Sequence, residues 1–203
     1  MSPREAFLER VKHAVMDGNR AGVAAALPER NGVGYQGAGP DLVQRFAAEL
    51  ANAGGNCHVV NGAEEGIEVL RGILRALNER GRRLLLSRGG LVEELGLAVR
   101  LRAMGHEVRS LDDVAANPRE EFFAADVGIT NVHRLIAETG SIVVGSRPNE
   151  PRSVSLLPPV HIALAYRTQI VADLFDLFDL FSPTAGTLPP SCLTLITGPS
   201  KTG

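Results

Sequence analysis

The sequence predicts an α/β protein: a mostly parallel β-sheet covered on both faces by helices, with two further helices at its N-terminal end. Three observations predict it. Short, continuously apolar runs alternate with amphipathic stretches of about a dozen residues, the pattern of strands buried on both sides. The chain has 203 residues, 44% of them apolar, enough to fill a real core. With 22% charged residues and a mean hydropathy of +0.04, it is not a disordered chain.

The elements follow in order. Ser2 and Glu5 form a capping box, and Pro3 stands where a missing N–H costs nothing. Phe7, Leu8, Val11 and Val15 then recur at helical spacing. Residues 17–40 are rich in Gly and Pro and read as a loop, which divides the chain into an N-terminal helix and loop (1–40) and an α/β domain (41–203). Asp41 with Gln44 starts a second helix, faced by Val43, Phe46, Ala47 and Leu50 and ended by Gly54 and Gly55. Cys57–Val60 reads as a strand, and Glu64–Arg80 as a helix with Ile67, Leu70, Leu74 and Leu77 on one stripe. Arg83–Ser87 is a strand, Leu91–Met104 a helix stopped by Gly105, and His106–Leu111 a strand. Val127–Thr130 reads as a strand, Val132–Ala137 as a short helix, and Ser141–Val144 and Val160–Tyr166 as β-rich runs. Asp173–Phe181 is a helix laid on the sheet, and Leu193–Thr197 the last strand. The two opening helices are expected to pack on this sandwich or on a partner.

Composition excludes several functions. A net charge of -2, a pI near 6.2, seven Phe, two Tyr and no Trp leave neither the basic footprint nor the stacking platform of a nucleic-acid binder. The cations are 19 Arg against only Lys12 and Lys201, so Schiff-base chemistry has two candidate amines and a pyridoxal enzyme is not supported. Cys57 and Cys192 stand alone without a CxxC, which excludes a zinc ribbon or a self-held iron–sulfur cluster; Cys57 reads as a core residue. His13, His58, His106, His133 and His161 show no HxH or HExxH spacing, so no metal site is expected. The N-terminus has no apolar signal region, and the longest apolar run, Val160–Tyr166, is too short for a bilayer. A cytoplasmic protein without a membrane span is expected.

Two motifs match nucleotide-binding patterns without their context. Gly32, Gly34 and Gly37 spell GVGYQG, but no strand delivers it and Pro40 precedes the next helix. TGPSKTG lacks the second glycine of a phosphate loop and no helix follows. The first reads as a linker, and the second as a Gly-Pro-Ser turn at 198–200 after the last strand.

Residues 126–161, DVGITNVHRLIAETGSIVVGSRPNEPRSVSLLPPVH, carry the most information. Their polar groups gather just after predicted strands, where open α/β sheets bind ligands. Glu138, Glu150 and His161 are the candidate catalytic groups: two carboxylates for acid–base or nucleophilic work, and an imidazole that titrates near neutrality. Thr139, Gly140, Asn149, Arg152, Ser153, Gly198, Ser200 and Lys201 are the candidate ligand-binding set; their hydroxyls, amides and charge suit a small carboxylate or phosphate. Leu157-Pro158-Pro159 is a place for a cis bond. Alternatives remain open at each position, since Glu138 could cap local amides, Glu150 could be a solvated turn residue and His161 a hydrogen-bonded core residue.

The ordered segments GIT…IAETGSIVV, RSVSLLPPVHIAL and ITGPSKT resemble the lactate utilisation protein C family, whose shared unit is the LUD domain, over roughly residues 41–203. The resemblance implies a Rossmann-like three-layer sandwich similar to the NagB/RpiA/CoA-transferase group. It implies a role in oxidising L-lactate to pyruvate with partner proteins, at least one of which holds iron–sulfur clusters. The chain departs from the family pattern at Asn131, where a small residue is usual. Because nothing in it clearly binds a flavin or nicotinamide, no cofactor is expected on this chain, and it reads as an accessory or substrate-handling subunit. A second expectation, from the more distant fold similarity to 5-formyltetrahydrofolate cyclo-ligase, is a stand-alone ligase or transferase acting on a small anionic metabolite.

Overall fold

Three consecutive leucines, Leu84, Leu85 and Leu86, are buried in β1 (Arg83–Leu86), and they explain the first sheet. The computed structural model describes residues 2–18, 37–78, 82–110, 118–146, 150–181, 190 and 192–199. In it β1 lies between β2 (Glu107–Ser110) and β3 (Val127–Asn131), with β6 (Val160–Leu164) outside β3, giving the order β2-β1-β3-β6. Every pairing in this sheet is parallel, with Leu84 opposite Val108 and Val127, and Gly128 opposite His161. Alternate side chains then part to two faces. Leu84, Leu86, Val127 and Ile129 pack on Ile67, Leu70 and Leu74 of α3 (Ala63–Ala76), Val92 of α4 (Gly90–Glu94), and Leu97 and Leu101 of α5 (Leu97–Ala103). Leu85 faces the other way, onto Phe122 of α6 (Pro118–Ala124), Ala125, and Val154 of α7 (Ser153–Leu156). This is the helix–sheet–helix sandwich that the alternating pattern predicts.

A second four-stranded sheet stands beside the first. Its order is β7-β4-β5-β8, from Ile170–Val171, Arg134–Ile136, Ser141–Gly145 and Leu193–Ile196. β4 and β5 form an antiparallel hairpin, β8 is antiparallel to β5, and β7 is parallel to β4. One face carries α2 (Leu42–Asn52), whose Phe46 and Leu50 meet Leu135 and Ala137; the other carries α8 (Leu174–Asp179), whose Leu177 meets Ile136 and Val143.

Several element expectations are corrected. Val132–Ala137 holds strand β4, not a helix, because Leu135 and Ile136 must face opposite helices, a period of two that hairpin pairing with β5 enforces. Cys57–Val60 forms no strand: it is unpaired, and Val59 is exposed. The helix expected over 91–104 is two, separated at Gly96, whose φ of +57° breaks the helical run. α6, α7 and β7 are additional. No peptide bond among the described residues is cis, Leu157-Pro158-Pro159 included. The glycine motif at 32–37 lies outside the described residues except for Gly37.

The chain divides into two units, Met1–Tyr35 and Gln36–Gly203. The first contains α1 (Pro3–Gly18), capped as its sequence requires: the Ser2 hydroxyl accepts from the Glu5 amide at 3.3 Å, and the Ser2 amide donates to the Glu5 carboxylate at 2.6 Å. Phe7, Leu8, Val11 and Val15 along it are exposed.

Candidate functional site

β1 leads into the turn Ser87-Arg88-Gly89-Gly90, with φ of +74° at Gly89 and +49° at Gly90, values that glycine alone adopts without strain. The neighbouring strand β3 ends in Asn131, which bridges to this turn. Its Oδ1 accepts from the Val92 amide at 3.2 Å, and its Nδ2 lies 2.8 Å from the Gly89 carbonyl and 3.2 Å from that of Arg88. The Ser87 hydroxyl, 3.3 Å from both nitrogens of Asn131, closes the network. A Cβ on Gly90 would stand 2.8 Å from Asn131 Oδ1, so the close approach needs glycine there. Asn131 Nδ2 also reaches Oε1 of Glu150, at 3.3 Å.

Gly90, Asn131 and Glu150 of this network line a cavity of about 190 Å³, bounded further by Leu164, Tyr166, Gln169, His133 and Gly145. It sits past the carboxyl ends of β1, β3 and β6, the edge at which α/β sheets bind ligands. Most of its polar side chains are engaged in building the walls. Gln169 accepts from the Tyr166 amide at 2.7 Å and donates to the Val132 carbonyl at 2.8 Å. Tyr166 donates its hydroxyl to the Glu94 carboxylate, which raises the pKa of the phenol. The His133 ring stacks on Phe181 at 5.4 Å. Glu150, held by Asn131 through one oxygen, is the carboxylate on the wall.

Of the expected site residues, Glu150 lines the cavity, with exposed Arg152 and half-buried Ser153 two and three positions beyond it. Asn149, Ser200 and Lys201 lie outside the described residues. The others gather elsewhere. Glu138, Thr139 and Gly140 form the closed end of the β4–β5 hairpin, whereas His133 and Gly145 stand at its open end, about 13 Å of strand away at roughly 3.4 Å per residue. There the Thr139 hydroxyl lies 2.7 Å from that of Ser141, which lies 2.5 Å from that of Thr197, next to Gly198. Gly140 and Gly198 serve packing: a Cβ on either would meet the backbone of Leu50 or Ala53 at 2.2 and 2.4 Å. Both turns therefore abut the C-terminal end of α2, where the helix dipole is negative and disfavours an anion. The Glu138 amide donates to the Ala172 carbonyl at 3.0 Å, tying the hairpin to the strand beside it.

His161 is half-buried in β6, is not among the residues lining the cavity, and makes the hydrogen bond that the structural alternative expects. Its Nε2 lies 2.9 Å from the Thr130 hydroxyl, and desolvation lowers its pKa from 6.5 to about 4, so it is neutral near pH 7. The cavity's remaining builders, Ser87, Gly89, Gly90, Asn131, Tyr166 and Gln169, lay outside the expected set. The signal available was a polar residue ending a buried strand opposite a Gly-Gly turn. The Cys57 thiol, packed beside α2, has its pKa raised by burial, which suits a core residue rather than a reactive one.

The fold is a layered α/β sandwich with a small cavity at the carboxyl edge of its parallel sheet. Comparison with known sequences makes this more specific. Residues 43–203 match the LUD domain model, and the chain belongs to that family. It is 39% identical over 79 residues to lactate utilization protein C of Bacillus subtilis, covering 38% of this chain and 33% of that protein. It is 36% identical over 89 residues to lactate utilization protein B of Shouchella clausii, covering 42% of this chain and 19% of that protein. The matched stretch thus spans about a third of the protein C relative's length. Among solved structures, a DUF162 family protein from Deinococcus radiodurans superposes with a TM-score of 0.58 at 24% identity, covering 77% of this chain and 86% of that one, and shares the fold. Among the described residues, no helix is long and apolar enough to cross a membrane, and no group of three or more His, Cys, Asp or Glu is placed to hold a metal ion.

Proposed function

We propose that this chain serves L-lactate utilisation as an accessory subunit, with the electrons of lactate oxidation carried by iron–sulfur partner proteins in the cytoplasm. The observation that carries this reading is the similarity to lactate utilization proteins C and B within a family match over residues 43–203. The site favours the accessory role over direct lactate handling. Lactate brings a carboxylate, and the described residues that line the cavity include Glu150 but no Arg or Lys to receive it. Residues 41–203 form the functional domain in this reading, with 1–40 as an appended helix and loop.

Two measurements test it. Deleting the gene is expected to abolish growth on L-lactate as sole carbon source, with rescue by the wild-type chain. The purified chain is expected to reduce no artificial acceptor with L-lactate until the partner proteins are added. Normal growth of the deletion strain, or brisk turnover by the chain alone, would overturn the proposal.

A further inference from the structure

The cavity's donors and acceptors are unevenly committed, and that imbalance selects a ligand. Resting on the reading of this cavity as the functional site, we infer that it binds a compact molecule rich in N–H or O–H donors and without negative charge, anchored on the Glu150 carboxylate.

Both functional ends of Gln169 are spent on the backbone, at Tyr166 N–H and the Val132 carbonyl. Asn131 has an accepting oxygen taken by Val92 N–H and two amide protons shared among the Gly89 and Arg88 carbonyls, the Ser87 hydroxyl and Glu150. Asn131 has no donor left to offer, and Gln169 keeps one Nε2 proton. Tyr166 has given its proton to Glu94, so its oxygen can only accept. Glu150 keeps acceptor capacity: a carboxylate offers about four lone-pair directions, and Asn131 uses one, at Oε1. With the Glu94–Tyr166 pair beside it and Arg167 directed to Asn61 at 3.2 Å, the described wall residues present mainly acceptors and the negative charge of Glu150, against one Gln169 proton and the His133 ring as donors. A carboxylate or phosphate placed there would face like charge, whereas an amine or polyol would meet its complement. The volume of about 190 Å³ lies below the ~300–1,000 Å³ of drug-sized ligand sites, which limits the ligand to a handful of heavy atoms.

The test follows backbone amide shifts of Gly89, Gly90 and Gly145 in the glycine-labelled full chain, titrated separately with ethanolamine, glycerol, L-lactate and inorganic phosphate. Ethanolamine or glycerol is expected to shift these three amides saturably, and which one does so distinguishes an amine from a polyol ligand. L-lactate and phosphate are expected to leave them in place. Glu150→Gln, of the same shape but uncharged, is expected to weaken binding of the effective probe at least tenfold. Leu91→Phe, which narrows the cavity, is expected to remove it and serves if Glu150→Gln does not fold. Saturable shifts with lactate or phosphate, no shift with either donor probe, or unchanged binding in the variants would overturn the inference. None of these outcomes bears on growth with L-lactate, so the two proposals fail separately.

Discussion

Asn131 and His161 end up with different duties on opposite faces of the parallel sheet, His161 beside Thr130 and Asn131 on the face of Val127 and Ile129. Asn131 is a positioning residue: it joins the turn after β1 to the start of α4 and to Glu150. Asn131→Ala removes the partner of the Val92 amide and should cost about 1–3 kcal/mol, the penalty for an orphaned, partly buried donor. Urea unfolding checks it, and Gln169→Ala at the same cavity gives a comparison. His161 is held neutral, with a folded pKa of about 4 against 6.5 unfolded. The unfolded chain therefore binds the extra proton first as pH falls. The associated stability is fully present above pH 6.5, declines between 6.5 and 4, and levels off below, by about 3 kcal/mol in all. Unfolding midpoints of the wild type and His161→Gln should diverge from neutrality in that window and run parallel below it; parallel curves throughout would refute the assignment.

At the level of elements, two glycines make opposite predictions. Gly140 has φ +64° and lies so close to α2 that a Cβ would stand 2.2 Å from the Leu50 nitrogen. Gly140→Ala should lose at least about 2 kcal/mol, because backbone must move. Gly72 lies exposed inside α3 with nothing within 4 Å of a built Cβ. Gly72→Ala should gain about 0.5–1 kcal/mol by restricting the unfolded chain. Thermal unfolding of the pair tells the two uses of glycine apart. Helices α2 and α3 were legible in advance because 3.6-residue stripes and the α2 cap are local, and Asp41 does accept from the Val43 and Gln44 amides at 3.0 Å. β4 was not legible. RLIA is too short to show a period, and its conformation is imposed by Ser141–Gly145 across the hairpin.

At the scale of the molecule, the two sheets within Gln36–Gly203 pack together and are expected to unfold as one. Ala163 of β6, in the first sheet, packs in the cluster of α2 and the second sheet, so the layers are joined through an edge strand. Leu177, fully buried against the outer face of the second sheet, tests this coupling. Leu177→Ala should lower stability by about 2–5 kcal/mol and shift a single transition without splitting it. Separate transitions by circular dichroism and tyrosine fluorescence would show that the sheets unfold independently.

Fold class, family resemblance and the strand ends that approach the cavity all follow from residues close in sequence, because caps, stripes and buried runs express local preferences and hydrophobic period. Of the candidate site, Glu150 was legible, but Thr139, Gly140 and Gly198 looked like its companions because each lies in a turn next to an expected strand. Only the tertiary structure could separate them. Which turn meets which strand end depends on hairpin pairing and on the seat of α2, and those contacts join residues such as Leu50 and Gly140 that lie far apart along the chain.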